Sequence, residues 1–188
     1  HRCQSKAALA RNKKINRDDR AVTKNKEESG GSRPEGFELS TFDYGFMGLA
    51  MPYYIKHEKE NVVLGFTVLE HHINPGQICH GGMLMTMIDV AFGINIGVRV
   101  KDAGFLPTMG LACDFLKPAR LGDWIESKID FINLTKRTAV ISGFLVGPDG
   151  PVVRANGTNR IMRKDDPRFQ VAESIKDKFA NQRNINHD

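Results

Sequence analysis

The sequence predicts an α+β fold in which an antiparallel sheet of about six strands wraps one long central helix. Three observations point there. The stretch from His80 to Val98 enters through Gly81-Gly82 and is apolar on nearly every side, as a helix enclosed by other elements must be. Stretches rich in β-branched and aromatic residues flank it, separated by turn signals. Their order is two strands, the helix, then four strands in a meander, with no internal repeat.

Residues 1–35 form a basic leader with ten Lys/Arg against five Asp/Glu, while the remainder is balanced at seventeen of each. Leu9, Ile15 and Val22 are its only sizeable apolar residues, too few to order it, so a disordered leader is expected. An unselected extension explains it more simply than a presequence, because Asp18 and Asp19 interrupt the basic run. The balanced remainder argues against a nucleic-acid partner, which would require a basic patch on the folded surface. The three cysteines Cys3, Cys79 and Cys113 make no disulfide framework and fit a reducing, cytoplasmic setting.

The folded domain is expected over 36–165. Phe37 to Tyr44 reads as a short helical or irregular lead-in, and Phe46 to His57 as the first strand. The polar break Glu58-Lys59-Glu60-Asn61 returns the chain into a second strand, Val62 to Glu70, forming an antiparallel hairpin. A loop from His71 to Cys79 holds the turn signal Asn74-Pro75-Gly76 and leads into the helix. The meander then runs Thr108 to Lys117, Trp124 to Leu134, Thr138 to Gly147 and Val152 to Met162, with Pro148-Asp149-Gly150 as the last hairpin turn. In the tail, 166–188, Val171, Ile175 and Phe179 fall four apart, the spacing of a weak amphipathic helix. Asp89, Asn95 and Arg99 interrupt the apolar run and argue against a membrane span. A sheet curled round a single apolar helix is the hotdog arrangement.

Two features of the helix carry chemistry. The Gly81-Gly82 start leaves backbone N–H groups free at the positive end of the helix dipole, a candidate oxyanion hole; it also serves as a tight turn for packing. Asp89 lies on a stripe of small and polar residues with Gly82, Thr86, Gly93 and Gly97. It is a candidate general base, or a structural carboxylate bonded to Thr86 or a neighbouring strand. Asp89 is eight residues beyond Gly81, which at 1.5 Å rise is ~12 Å along the axis. One chain cannot place both groups against one reacting carbon, so cooperation requires two antiparallel helices and a dimer. The spacing of His71, His72, Cys79 and His80 matches no standard zinc pattern, so no metal is expected. Adjacent Cys79 and His80 make a poor nucleophile–base pair, and no Gly-x-Ser-x-Gly elbow is present.

The string Asn74-Pro75-Gly76-Gln77-Ile78-Cys79-His80-Gly81-Gly82, followed by Asp89, resembles the hotdog-fold acyl-CoA thioesterases of the phenylacetate-pathway (PaaI) branch, in the 4-hydroxybenzoyl-CoA thioesterase superfamily. The later run from Gly110 to Asp123, with its Pro118-Ala119 turn, resembles the strand and turn that follow there, and the likeness spans roughly residues 45–163. The resemblance implies that the Gly81 N–H polarises a thioester carbonyl, with Asn74 and His80 shaping that pocket. It implies that Asp89 of a partner chain acts as general base toward water, or as nucleophile. Thr108 falls where relatives often carry a hydroxyl that orients water. The implied function is hydrolysis of acyl-CoA at a dimer interface, in a homodimer or a dimer of dimers; the Met-rich helix with Phe66, Phe92, Phe105 and Phe115 suggests an apolar pocket that suits medium-chain or aryl acyl groups. No cofactor is implied beyond the coenzyme A of the substrate. Lys117, Arg120 and Arg154 are candidates for its phosphates but fit solvated surface charges better. A hotdog hydratase or dehydratase, or a non-catalytic acyl-binding protein, is the alternative.

Overall fold

The computed structural model describes residues 33–43, 45–164 and 166. Apart from their inner ends, the basic leader expected over 1–35 and the helical tail expected over 166–188 lie outside these described residues. The elements are β1 (Glu38–Leu39), α1 (Phe46–Leu49), β2 (Tyr54–His57), β3 (Val62–Thr67), a 3-10 turn (Glu70–His72), α2 (Gly81–Gly97), β4 (Thr108–Phe115), β5 (Trp124–Leu134), β6 (Thr138–Gly147) and β7 (Gly150–Arg160). All seven strands form one sheet in the order β1-β2-β3-β5-β6-β7-β4, with antiparallel neighbours throughout. The expected helix, hairpin and meander are present, with corrections at the front.

The seventh strand is β1, within the stretch expected to be a short helical or irregular lead-in; Glu38 and Leu39 pair with Ile55 and Tyr54. The expected strand from Phe46 to His57 is divided. Its first residues form α1, which buries Met47 while Phe46 and Leu49 stay exposed. Gly45, at φ 59°, starts this turn, and the Gly48 N–H donates to the Gly45 carbonyl. Pro52 lies between α1 and β2 and has no N–H to offer a strand ladder. The Asp149-Gly150 turn is as expected, with Gly150 at φ 100°, a conformation that glycine adopts without strain.

The sheet packs one face on α2. Leu84, Met87, Ile88, Ala91, Phe92 and Ile96 are buried against Ile125, Ile141, Leu145, Val153 and Ala155. Each large side chain so buried contributes about 1.5–3 kcal/mol. The wrap is one-sided: Gly82 is exposed, and Thr86, Asp89, Gly93 and Gly97 are only partly buried. The stripe that carries Asp89 therefore faces away from the core.

Buried Asn95 fixes how α2 meets the sheet. β5 pairs with β3 only from Gly65 to Thr67, which leaves the start of β3 without a ladder partner on that side. Asn95 replaces the missing strand: its Oδ1 accepts from the Val62 N–H at 3.0 Å and its Nδ2 donates to the Val62 carbonyl at 2.7 Å. Ser127 does the same for Leu64, accepting its N–H at 2.9 Å. Buried backbone groups are thus satisfied where strand pairing stops.

Burial and the neighbouring His71 lower the His72 pKa from 6.5 to about 4, despite the favourable carbonyls of Ala50 and Thr67. The unfolded chain therefore takes up a proton below pH 6.5 that the folded chain refuses until about pH 4. Stability from this residue is complete above the unfolded pKa and is lost as pH falls through that window, by up to roughly 3 kcal/mol. Unfolding midpoints from pH 7 to pH 4 are expected to fall more steeply for the wild type than for His72→Gln. Equal slopes would contradict the assignment.

Candidate active site

The loop before α2 sets the helix entry. The Asn74 Oδ1 accepts from the Gly76 N–H at 2.8 Å, and the Asn74 carbonyl accepts from the Gln77 N–H at 2.9 Å. The loop closes on itself where Ile73 bridges Cys79. The chain thereby arrives at His80, which caps the helix: its Nδ1 accepts from the Gly82 N–H at 2.9 Å, and its carbonyl accepts from Met83 and Leu84. A neutral His80 carries its proton on Nε2 in this arrangement. Of the two glycine N–H groups, Gly82's is therefore spent. Gly81's donates to nothing among the described residues.

That free N–H lies at an open cleft of about 300 Å³, lined by Asn74, Gly81, Leu84, Phe115, Lys117 and Ala119 among others. A Cβ on Gly81 would meet the Phe115 ring at 3.2 Å, a tight contact that this exposed ring would have to yield to. The Asn74 amide nitrogen also has no acceptor among the described residues. The site can receive an oxygen carrying negative charge at the positive end of α2.

Asp89 occupies a second place, two turns along α2. Its Oδ1 accepts from the Thr108 hydroxyl at 2.7 Å. Its other oxygen has no partner, and no cation is paired with it, among the described residues. The bond to a neighbouring strand matches the structural role weighed for Asp89; the second oxygen remains available for chemistry. Thr108 in turn accepts from the Asn159 Nδ2 at 3.2 Å. Asn159 was not singled out in the sequence, where an asparagine 51 residues from Thr108 carries no spacing signal. The structure thus brings Asp89 to Thr108, and Asn74 and His80 to Gly81. It does not bring the two groups together within one chain, since both lie on α2.

The remaining candidates are placed elsewhere. Burial pushes the Cys79 thiol up to about 12, so its thiolate is not available as a nucleophile. Cys113, on β4, is also pushed up, by burial first and then by the charges of Asp114 and Asp89. His71 bonds the Met51 carbonyl and His72 is buried; among the described residues no three His, Cys, Asp or Glu converge on a metal site. Lys117 donates to the Asp149 carbonyl, and Arg154 pairs with Asp130 at 2.8 Å and covers the Phe144 ring. No described helix is long and apolar enough to cross a membrane.

Comparison with known proteins agrees with this architecture. A family model described as the thioesterase superfamily matches residues 76–153, which include α2, β4, β5, β6 and the start of β7. A curated Pseudomonas aeruginosa protein, provisionally named as an esterase, is 30% identical over 125 residues, covering 66% of this chain and 93% of that protein. Among solved structures, a mutant of the phenylacetic acid degradation protein PaaI from Thermus thermophilus superposes with a TM-score of 0.53 at 23% identity, over 58% of this chain and 93% of that one. A hypothetical thioesterase from Streptococcus pneumoniae, solved with coenzyme A, gives 0.53 at 22% identity, over 69% of this chain and 98% of that one.

Proposed function

This chain belongs to the thioesterase superfamily and is a thioester hydrolase of the hotdog fold; on that premise we propose that it hydrolyses medium-chain or aryl acyl-CoA at a site shared by two copies of the chain. The observation that carries the proposal is the pair of unspent groups on α2. Among the described residues the Gly81 N–H lacks an acceptor and the Asp89 carboxylate has one oxygen without a partner, with ~12 Å of helix between them.

A second α2, antiparallel across a two-fold axis, would bring Asp89 of one chain to Gly81 of the other. Two features support that pairing. The Asp89 stripe is only partly covered by the chain's own sheet, which reaches it at Thr108 on β4. β4 is an edge strand whose Met109 and Phe115 are 63% and 52% exposed, an unprotected edge that a second copy can cover.

In this site the thioester carbonyl accepts the Gly81 N–H, with the Asn74 amide beside it. Asp89 of the other chain takes a proton from water, which attacks the polarised carbon. The negative charge on the tetrahedral oxygen is held at the helix terminus. Its collapse expels the coenzyme A thiolate, a leaving group that needs no strong general acid because thiols ionise near pH 8.5. No cofactor enters the reaction. The sparse cysteines support a cytoplasmic setting.

The test is thiol release from acyl-CoA substrates graded in chain length and aromaticity. Turnover with an optimum among medium-chain or aryl groups is expected. Hydration of an enoyl-CoA without thiol release would favour a hydratase, and binding without turnover an acyl-binding protein.

A further inference from the structure

We propose that Asn159 is a positioning residue for the reaction, holding Asp89 in place through the Thr108 hydroxyl. The inference rests on the reading of Asp89 as the base and extends it.

Asn159 lies on β7, 1% exposed, opposite Thr108 in the β4–β7 ladder. Its amide orientation follows from chemistry. One side-chain atom lies 3.2 Å from the Leu106 carbonyl, which can only accept, so that atom is Nδ2. The same Nδ2 lies 3.2 Å from the Thr108 Oγ1. An ionised Asp89 can only accept, so the Thr108 proton points at its Oδ1, 2.7 Å away. With its proton committed, the Thr108 oxygen accepts from Asn159. The direction of both bonds is thus set: Asn159 amide to Thr108 hydroxyl to Asp89 carboxylate.

The other end of the amide shows what the fold gives up for this. The Asn159 Oδ1 is buried with no donor among the described residues. A buried acceptor left unmatched is destabilising, and a leucine there would avoid it. The amide donors, however, connect the Leu106 carbonyl to the Thr108 hydroxyl in one step. A hydroxyl rotor without Asn159 would be free to turn its proton toward another acceptor, and the carboxylate would lose its fixed partner.

The experiment is a double-mutant cycle on kcat and KM for the best acyl-CoA substrate, using the full chain. In the wild-type background Asn159→Leu is expected to lower kcat roughly tenfold, with KM changed less than about twofold. In a Thr108→Val background the same substitution is expected to cost less than about twofold further, because the group it acts through is gone. Equal losses in both backgrounds, or unchanged kcat in the first, would overturn the proposal; a purely structural effect gives the equal losses. Melting curves monitor folding, and if Asn159→Leu fails to fold, Asn159→Ser is carried through the same cycle with the same outcomes. Asp89→Asn separates the two readings. Full activity of that variant would reject Asp89 as the base. An inactive Asp89→Asn beside a fully active Asn159→Leu would reject only the role of Asn159.

Discussion

Asp89→Asn is expected to lower kcat for thioester hydrolysis by at least about 100-fold, the usual scale for a positioned general base. The substitution isolates basicity. Asparagine has the size of aspartate, and its side-chain oxygen can still accept the Thr108 hydroxyl that Asp89 accepts at 2.7 Å. The contact to β4 therefore survives and the melting temperature should move little. What is lost is the second oxygen, the one without a partner among the described residues, as a proton acceptor. Activity within a few-fold of wild type would mean that the Thr108 bond is the whole purpose of Asp89. Thiol release, size-exclusion elution and melting temperature, measured together, decide between these.

Gly81→Pro is expected to reduce kcat by about 100- to 1000-fold, the range found when one oxyanion donor is removed. The local backbone accepts the change. Gly81 is the first residue of α2, where proline is tolerated because the N–H has no helical partner. His80 before it sits at φ −62° and ψ 133°, the extended conformation that a residue preceding proline requires. The Gly81 N–H donates to no protein group among the described residues, so the fold forfeits no bond. The ring would press on Phe115, which is 52% exposed and free to shift. Gly81→Ala is the control: it keeps the N–H while adding a Cβ against the same ring. Alanine as damaging as proline would indicate that space, and not the N–H, is what Gly81 supplies.

The parts of this molecule legible in its sequence are those with a local cause. The bounds of β5 and β6 follow from the turns at Leu121-Gly122-Asp123 and Thr135-Lys136-Arg137, and the helix follows from its glycine entry and apolar length. The front of the domain was harder. Phe46 to His57 is a short apolar run, and periodicity cannot divide such a run into a turn of helix and a strand. Pro52 was the available sign. At the site, the candidates Asn74, Gly81 and Asp89 lie in one continuous segment, so the sequence offers them together. The expectation of two free glycine N–H groups was reduced to one by His80, because histidine is an uncommon cap and its ring nitrogen accepts only in one orientation. Asn159 was invisible because its partners, Leu106 and Thr108, are brought to it only by the pairing of β4 with β7.

The central claim is that each site takes its base and its oxyanion donor from different chains. Co-expression of Asp89→Asn with Gly81→Pro tests it directly. Each variant alone has two crippled sites. In a mixed dimer the intact Gly81 of one chain meets the intact Asp89 of the other, and one of the two sites is whole. Random pairing of equal amounts makes half the dimers mixed, so thiol release should return to about a quarter of wild type. Mixed dimers, verified by a tag on each chain, that show no more activity than either parent would contradict the shared site.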